Sequence, residues 1–245
     1  MSSVMPRQHV DNAVVVARTS EDVIVGDEIV RHRRLSRFIH WSVAVTFFLG
    51  VFTGMPIWTP LFRWMAGFFG GLEVCRWLHP YAGSLFFVFS VVQFFHWLGE
   101  MHFRKDERGW WRPAKLMSYM RYDDDSSVEG GKYNGGQKLF FFAVCLGALG
   151  LLVSGIVMWF PLQFPQIVRE LAILLHDITF IFFIVGIIFH IYLGTAAEPG
   201  TYRAMTRGTV TRAWARLHHP GWLRQVTGRG AVDRNVPPPG DAGSR

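Results

Sequence analysis

Charged residues vanish from three long stretches of this chain. No Asp, Glu, Lys or Arg lies between Arg37 and Arg63, between Arg76 and Glu100, or between Lys138 and Arg169, and a fourth stretch, between Glu170 and Glu198, holds only Asp177. A hydrocarbon core takes about 20 apolar residues of helix at 1.5 Å rise per residue, and each stretch is long enough to cross one. The pattern predicts an all-α integral membrane protein, a four-transmembrane-helix bundle with helices over roughly 36–58, 77–98, 138–160 and 167–194. The turn "GMPIWTP", with Pro56 and Pro60, is expected to end the first helix, and Pro161 and Pro165 the third.

The polar remainder flanks a bundle domain of residues 31–200. Residues 1–30 read as an N-terminal extension, partly disordered or contacting a partner. Its patches "NAVVVA" and "DVIVGDEIV" suit a strand added to a partner chain and have no core of their own. The connection 99–137 starts aromatic and basic, "EMHFRKDERGWWRP", as interfacial segments do, and continues as the loop "YDDDSSVEGGKYNGG". Residues 201–225 form a basic tail with one helical piece, Arg203 to Leu217, and 226–245 read as disordered. No internal repeat is visible.

Composition agrees: half of the 245 residues are apolar, 16% are aromatic and mean hydropathy is +0.21. The net charge of +7 adds a direction. Of 25 Lys and Arg, 22 fall on the N-terminal arm, the second connection and the tail, leaving Arg63, Arg76 and Arg169 on the other side. Cytoplasmic flanks collect basic residues, so both termini are expected in the cytoplasm. The first 30 residues lack the apolar core of a cleavable signal, and the first helix is expected to act as its own insertion signal. Such a charge also suits anionic lipid or an acidic partner; nucleic acid is not an expected partner. Cys75 and Cys145 fall at different depths and are not expected to pair.

Inside the apolar stretches stand four histidines. His176 and His190 are 14 residues apart on the fourth helix. Fourteen steps of 100° end about 40° short of whole turns, so the two share a face, about 21 Å apart along the axis. His40 starts the first helix at the depth of His190, and His79 starts the second at the depth of His176. Any one imidazole can be explained as a side chain hydrogen-bonded to a neighbouring helix. Four matched in depth point to two sites, because ionisable groups in a bilayer are costly and mark function. Two facing imidazoles offer two nitrogens to one metal, which matches the two axial positions of haem iron, whereas zinc wants four close ligands. Gly83 and Gly186 lie one turn from His79 and His190, and Gly54 lies on the face of His40 at the depth of the other pair, where a flat ring needs room. Gly50 and Gly54 equally suit close helix packing. Without a Cys-x-x-Cys-His motif such haems are b-type. His96 lies about 100° off the His79 face. His32, His102, His218 and His219 fall in polar segments and are expected at the surface or against a partner. Asp177 is rotated off the face of His176.

The runs "RFIHW", "LHPYAG", "GKYNGGQK", "LLHD", "HIYLG" and "RAWARLHHPGW" resemble, in order and spacing over roughly 31–225, the gamma subunit of membrane-bound formate dehydrogenase, a di-haem cytochrome b. The resemblance implies that His40 and His190 ligate a cytoplasmic-side haem, and His79 and His176 a periplasmic-side haem. It also implies that Asn134 and Gln137 in "GKYNGGQK" bind a quinone, menaquinone or ubiquinone, as substrate. From the residues alone that stretch reads equally as a helix cap and loop. By the resemblance, an iron–sulfur subunit and a molybdenum- or tungsten-pterin catalytic subunit are partners in a bacterial inner (cytoplasmic) membrane. The pattern departs from the family at the long N-terminal arm and at Asp177, where a small apolar residue is expected. A cytochrome b subunit of a hydrogenase or related oxidoreductase is a near alternative. A haem-free anchor, or a transporter whose histidines relay protons, is a distant one, for which broken helices or repeats would be expected.

Overall fold

The computed structural model describes residues 24, 25, 27–103 and 131–228. The patch "NAVVVA", most of the second connection and the stretch "RNVPPPGDAGSR" lie outside the described residues. Four long helices dominate: α1 (Arg34–Trp58), α2 (Leu72–Trp97), α3 (Gly135–Trp159) and α4 (Gln166–Tyr192), of 25, 26, 25 and 27 residues. At 1.5 Å per residue each reaches about 37–40 Å, more than the roughly 30 Å hydrocarbon core. Their outer faces carry Phe38, Phe95, Leu146 and Phe182, all at least 64% exposed, as helices solvated by lipid tails do. This is a multi-pass membrane helical bundle, as the charge-free stretches predict.

The boundaries differ from expectation for local reasons. Pro56 lies inside α1, which runs on to Trp58 before Thr59 breaks it; only Pro60 marks the stop, opening a 3-10 segment, Pro60–Phe69. Near a helix C-terminus a proline costs one carbonyl partner and does not end the helix at once. α2 starts at Leu72, ahead of the expected 77, because its first turn carries the charged pair Glu73–Arg76 into the interface at 2.7 Å. α3 starts at Gly135, where Asn134 and Gln137 form a reciprocal capping box: Gln137 N–H donates to Asn134 Oδ1 at 2.9 Å, and Asn134 N–H donates to Gln137 Oε1 at 3.1 Å.

The ends that carry residues 31–34, 98–103, 131–134 and 197–228 form one face of the bundle, here the terminal face; the short links 59–71 and 160–165 form the opposite face. On the terminal face the tail is not the single expected helix. It comprises α5 (Thr201–Thr206), a strand, α6 (Arg212–His218) and α7 (Pro220–Gly228). A three-stranded antiparallel sheet joins β1 (Ile24–Val25), β2 (Glu28–Val30) and β3 (Thr209–Thr211), with Ile29 opposite Val210. Within "DVIVGDEIV", Glu28–Val30 therefore pairs with this chain's own tail, and Ile29, fully buried, shares a core with Val210, Trp214, Ala215 and Trp222. The run has no core of its own; the tail supplies one.

Arg31 fastens this cap to the bundle. Its guanidinium lies over the rings of Trp214 and Trp222 at 4.8 and 5.1 Å, donates to Lys132 O at 2.6 Å and meets His219 Nε2 at 3.1 Å. His219 Nδ1 in turn donates to Gly131 O at 3.1 Å. His32 and His219, expected at the surface, are 5% and 2% exposed. Their polar sequence context hides a core assembled from three distant segments. His102 does lie exposed, and His218 approaches Glu198 at 4.0 Å. Burial, reinforced by Arg31, holds both His32 and His219 well below the ordinary imidazole range.

Two outcomes follow from this clamp. Arg31→Ala is expected to cost about 3 kcal/mol locally, so that amide protection across Glu28–Val30 and Thr209–Thr211 falls roughly a hundredfold by hydrogen exchange while the bundle helices keep theirs. Both histidines have folded values below their unfolded ones, so the unfolded cap binds more protons as pH falls through about 6.5. Cap stability is then lost at about 1.4 kcal/mol per pH unit for each histidine, and exchange measured at pH 7.5 and 5.5 checks it.

Candidate functional site

The four membrane histidines meet as two pairs. His40 of α1 and His190 of α4 have ring centroids 6.1 Å apart near the terminal face. His79 of α2 and His176 of α4 have centroids 6.2 Å apart towards the opposite face. Depth alone placed both pairings. The spacing itself is chemical: two metal–nitrogen bonds of about 2 Å, with roughly 1.1 Å from each nitrogen to its ring centre, sum to about 6.2 Å.

The rings of the second pair are set by the backbone and by hydroxyls. Thr53 Oγ1 donates to Leu49 O at 2.7 Å, and Ser154 Oγ donates to Gly150 O at 2.7 Å. With their hydrogens committed, these oxygens face the imidazoles as acceptors. His79 Nδ1 donates to Gly50 O at 3.1 Å with Thr53 Oγ1 at 3.3 Å, and His176 Nδ1 donates to Ser154 Oγ at 2.9 Å. Each Nδ1 is thereby the N–H, and each Nε2 keeps the lone pair. In the first pair His40 Nδ1 is buried without a partner among the described residues. Phe140 of α3 stacks on His190 at 5.0 Å and 12°.

A cavity of about 690 Å³ surrounds the second pair, lined by Gly50, Gly54, Gly83, Phe180 and Asp177 among others. The glycines divide into distinct roles. A Cβ on Gly54 would stand 2.7 Å from His79 Cε1, so its absence admits the imidazole; a Cβ on Gly83 would meet nothing, and that position bounds open space. Gly186 makes room for Phe140, whose Cε2 a Cβ would meet at 3.3 Å, and not for a slot beside His190. Asp177 lies in the cavity wall, and His96 bonds Ser36 Oγ at 2.8 Å, away from both pairs. Cys75 and Cys145 are both free thiols.

Between the pairs lies a feature the sequence reading missed. Phe47, Phe86 and Phe183 meet with centroids 5.5 to 5.7 Å apart and are each at most 7% exposed. Each is seven residues from the histidines of its helix: 40 and 47, 79 and 86, 176, 183 and 190. That two-turn spacing was the available signal. Gly147 admits Phe183, since a Cβ there would fall 2.5 Å from its ring. Thr53 and Ser154 were also missed; nothing in a single sequence marks one hydroxyl in an apolar helix as an imidazole partner.

On the terminal face Asn134 and Gln137 sit together at the start of α3. Phe140, one turn beyond Gln137, leads to His190. A polar cavity of about 560 Å³ opens nearby, lined by Ser36, His96, Glu100, Lys132 and Tyr133. Burial, then the Glu100 charge, pushes the Tyr133 hydroxyl well above its ordinary range.

A donor set of paired imidazoles, with no group of three or more His, Cys, Asp or Glu able to hold a metal among the described residues, suits an iron that brings its own equatorial ligands. Such pairs between membrane helices define a membrane cytochrome b. The chain belongs to the prokaryotic cytochrome b561 family, which matches residues 31–208, and that family implies haem b. It is 34% identical over 201 residues to the formate dehydrogenase cytochrome b556 subunit of Haemophilus influenzae, covering 80% of this chain and 83% of that one. It is 34% identical over 203 residues to the formate dehydrogenase cytochrome b556(fdo) subunit of Escherichia coli K12, covering 82% and 94%. The nitrate-inducible cytochrome b556(Fdn) subunit of the same strain is 31% identical over 204 residues, covering 81% and 91%.

The two glycines separate apoprotein packing from cofactor room. Gly54→Ala is expected to lower thermal stability with or without haem, by about 1–3 kcal/mol, as overpacking does. Gly83→Ala is expected to leave the haem-free chain unchanged and to weaken haem retention, read by melting and by haem content.

Proposed function

We propose that this chain is the membrane electron-transfer subunit of a formate dehydrogenase complex, working through two b-type haems between an iron–sulfur subunit and a quinone. The observation that carries the reading is the pair of imidazole couples, 6.1 and 6.2 Å apart, at two depths of one bundle. The names of the relatives support formate as the substrate of the complex. Formate oxidation itself belongs to a molybdenum- or tungsten-pterin subunit, since two cysteines cannot supply an iron–sulfur or pterin pattern. The bias of Lys and Arg supports termini in the cytoplasm of a bacterial inner membrane.

His79 with His176, and His40 with His190, would hold the two haems. Bound there, haem supplies a one-electron carrier at each depth. The chain's own residues do the rest. Gly50 O, Thr53 and Ser154 fix the tautomers of His79 and His176, and Phe140 orients His190 by stacking. At the terminal face the capping box engages the oxygens of Asn134 and Gln137, and the amides of both residues are the groups that would hydrogen-bond a quinone carbonyl. Protons for the quinol enter from this face, where the polar cavity lies.

A dithionite-reduced minus oxidised spectrum with pyridine haemochrome is expected to give two b haems per chain. His79→Ala and His176→Ala should each remove the same spectral component; a component shared instead by His79→Ala and His190→Ala would contradict the pairing. Asn134→Ser keeps a cap and Gln137→Glu keeps a capping box, while each deletes an amide donor. Each is expected to lower quinone reduction by about tenfold or more with haem content unchanged.

A further inference from the structure

We propose that His219 is a positioning residue of the quinone site: its hydrogen bond to the Gly131 carbonyl sets where Asn134 presents its amide, while Arg31 holds the next carbonyl. The proposal rests on the reading of Asn134 and Gln137 as the groups that hydrogen-bond a quinone. His219 acts through the three residues that lead into α3, not on the quinone itself.

Residues 131–133 are gripped one after another from outside α3. His219 Nδ1 donates to Gly131 O at 3.1 Å, Arg31 Nη2 donates to Lys132 O at 2.6 Å, and Tyr133 is buried against Ile39, Trp97, Met101 and Phe141. Asn134 follows directly, and its backbone N–H and Oδ1 form its side of the capping box. The box fixes Asn134 relative to Gln137. It does not fix the direction from which the chain arrives, and the grips supply that. The two carbonyls meet groups 88 and 101 residues away in sequence, so neither contact comes from local folding.

His219 is built as a fixed post. Its backbone N–H donates to Ala215 O at 2.9 Å, its carbonyl accepts from Leu223 N–H at 3.0 Å, and its ring lies 5.3 Å from that of Trp214. Gly131 O can only accept, so Nδ1 carries the hydrogen and Nε2 accepts from Arg31 at 3.1 Å. One neutral ring thus ties the tail, the N-terminal arm and the approach to α3 together. Hydrogen bonds tolerate little error: a donor about 0.7 Å beyond the usual separation is no longer bonded. Loosening Gly131 therefore carries Asn134 out of reach of a quinone oxygen and leaves both histidine couples as they are.

The test uses the full haem-loaded chain in detergent with menadiol as electron donor, and follows haem reduction by stopped flow. The half-saturating menadiol concentration reports binding, and the limiting rate reports transfer. Two substitutions separate the ring nitrogens. His219→Asn places an amide N–H where Nδ1 stood and keeps the bond to Gly131, whereas His219→Gln places an amide oxygen near Nε2 and keeps only the bond from Arg31. His219→Gln is expected to raise the half-saturating concentration about three- to tenfold, the worth of one hydrogen bond, with limiting rate and haem content unchanged. His219→Asn should stay within about twofold of the unsubstituted chain. The Asn134 amide, read by hydrogen exchange in NMR spectra, should lose protection in His219→Gln and keep it in His219→Asn. Equal effects of the two substitutions, or no effect of His219→Gln where Asn134→Ser does weaken menadiol binding, overturn the proposal. If His219→Gln fails to fold, exchange in the unsubstituted chain decides: in mild denaturant the Asn134 amide should open together with Thr209–Thr211, and independent opening overturns the proposal. Unchanged menadiol binding in Asn134→Ser sinks the reading of the quinone site itself, and this proposal with it.

Discussion

An imidazole in hydrocarbon has two nitrogens to satisfy, and the His79/His176 end of this bundle is arranged around that requirement. One nitrogen can go to a metal, which leaves the other to find a protein acceptor at short range. Helices α1 and α2 meet closely enough for the Gly50 carbonyl and the Thr53 hydroxyl to reach His79, and Gly54 is bare because any Cβ would collide with that ring. α3 presents Ser154 to His176 in the same way. The positions of glycine and hydroxyl residues in three helices thus follow from where the imidazoles must point.

Much of this was legible before any coordinates. Charge-free runs mark four helices because lipid admits few other structures, and a rise of 1.5 Å per residue turns sequence separation into depth. Pairing by depth needs no side-chain detail, so His40 with His190 and His79 with His176 emerged from counting. What counting could not reach were the short-range choices. Gly186 looked like room for a ring beside His190 and instead accommodates Phe140, because rotation about a helix fixes a face but not its neighbour. Asn134 and Gln137 were readable as a cap or as ligand donors, and they do form the cap.

The largest departure concerns the terminal face. "DVIVGDEIV" looked like a strand in search of another chain, and His32, His218 and His219 looked like surface residues. Glu28–Val30 of that run and the three histidines belong to one small assembly in which segments from 27–32, 131–133 and 201–228 bury one another. Its core is non-local: Ile29 meets Val210 across 181 residues, and Arg31 meets His219 across 188. Local patterning carries no trace of such contacts, since each piece alone is polar, short and rich in turn residues. The membrane helices bring the pieces together, and the cap forms because the bundle has already closed the loop between them.

The phenylalanine cluster midway through the bundle has its own consequence. Phe47, Phe86 and Phe183 fill the space between the histidine couples with hydrocarbon, and Gly147 lets the last of them seat fully. Hydrocarbon rings offer a proton neither donor nor acceptor. Electrons, by contrast, tunnel through such matter over short gaps. A plug of hydrocarbon thus stands between the two depths, a barrier to protons that need not be one to electrons.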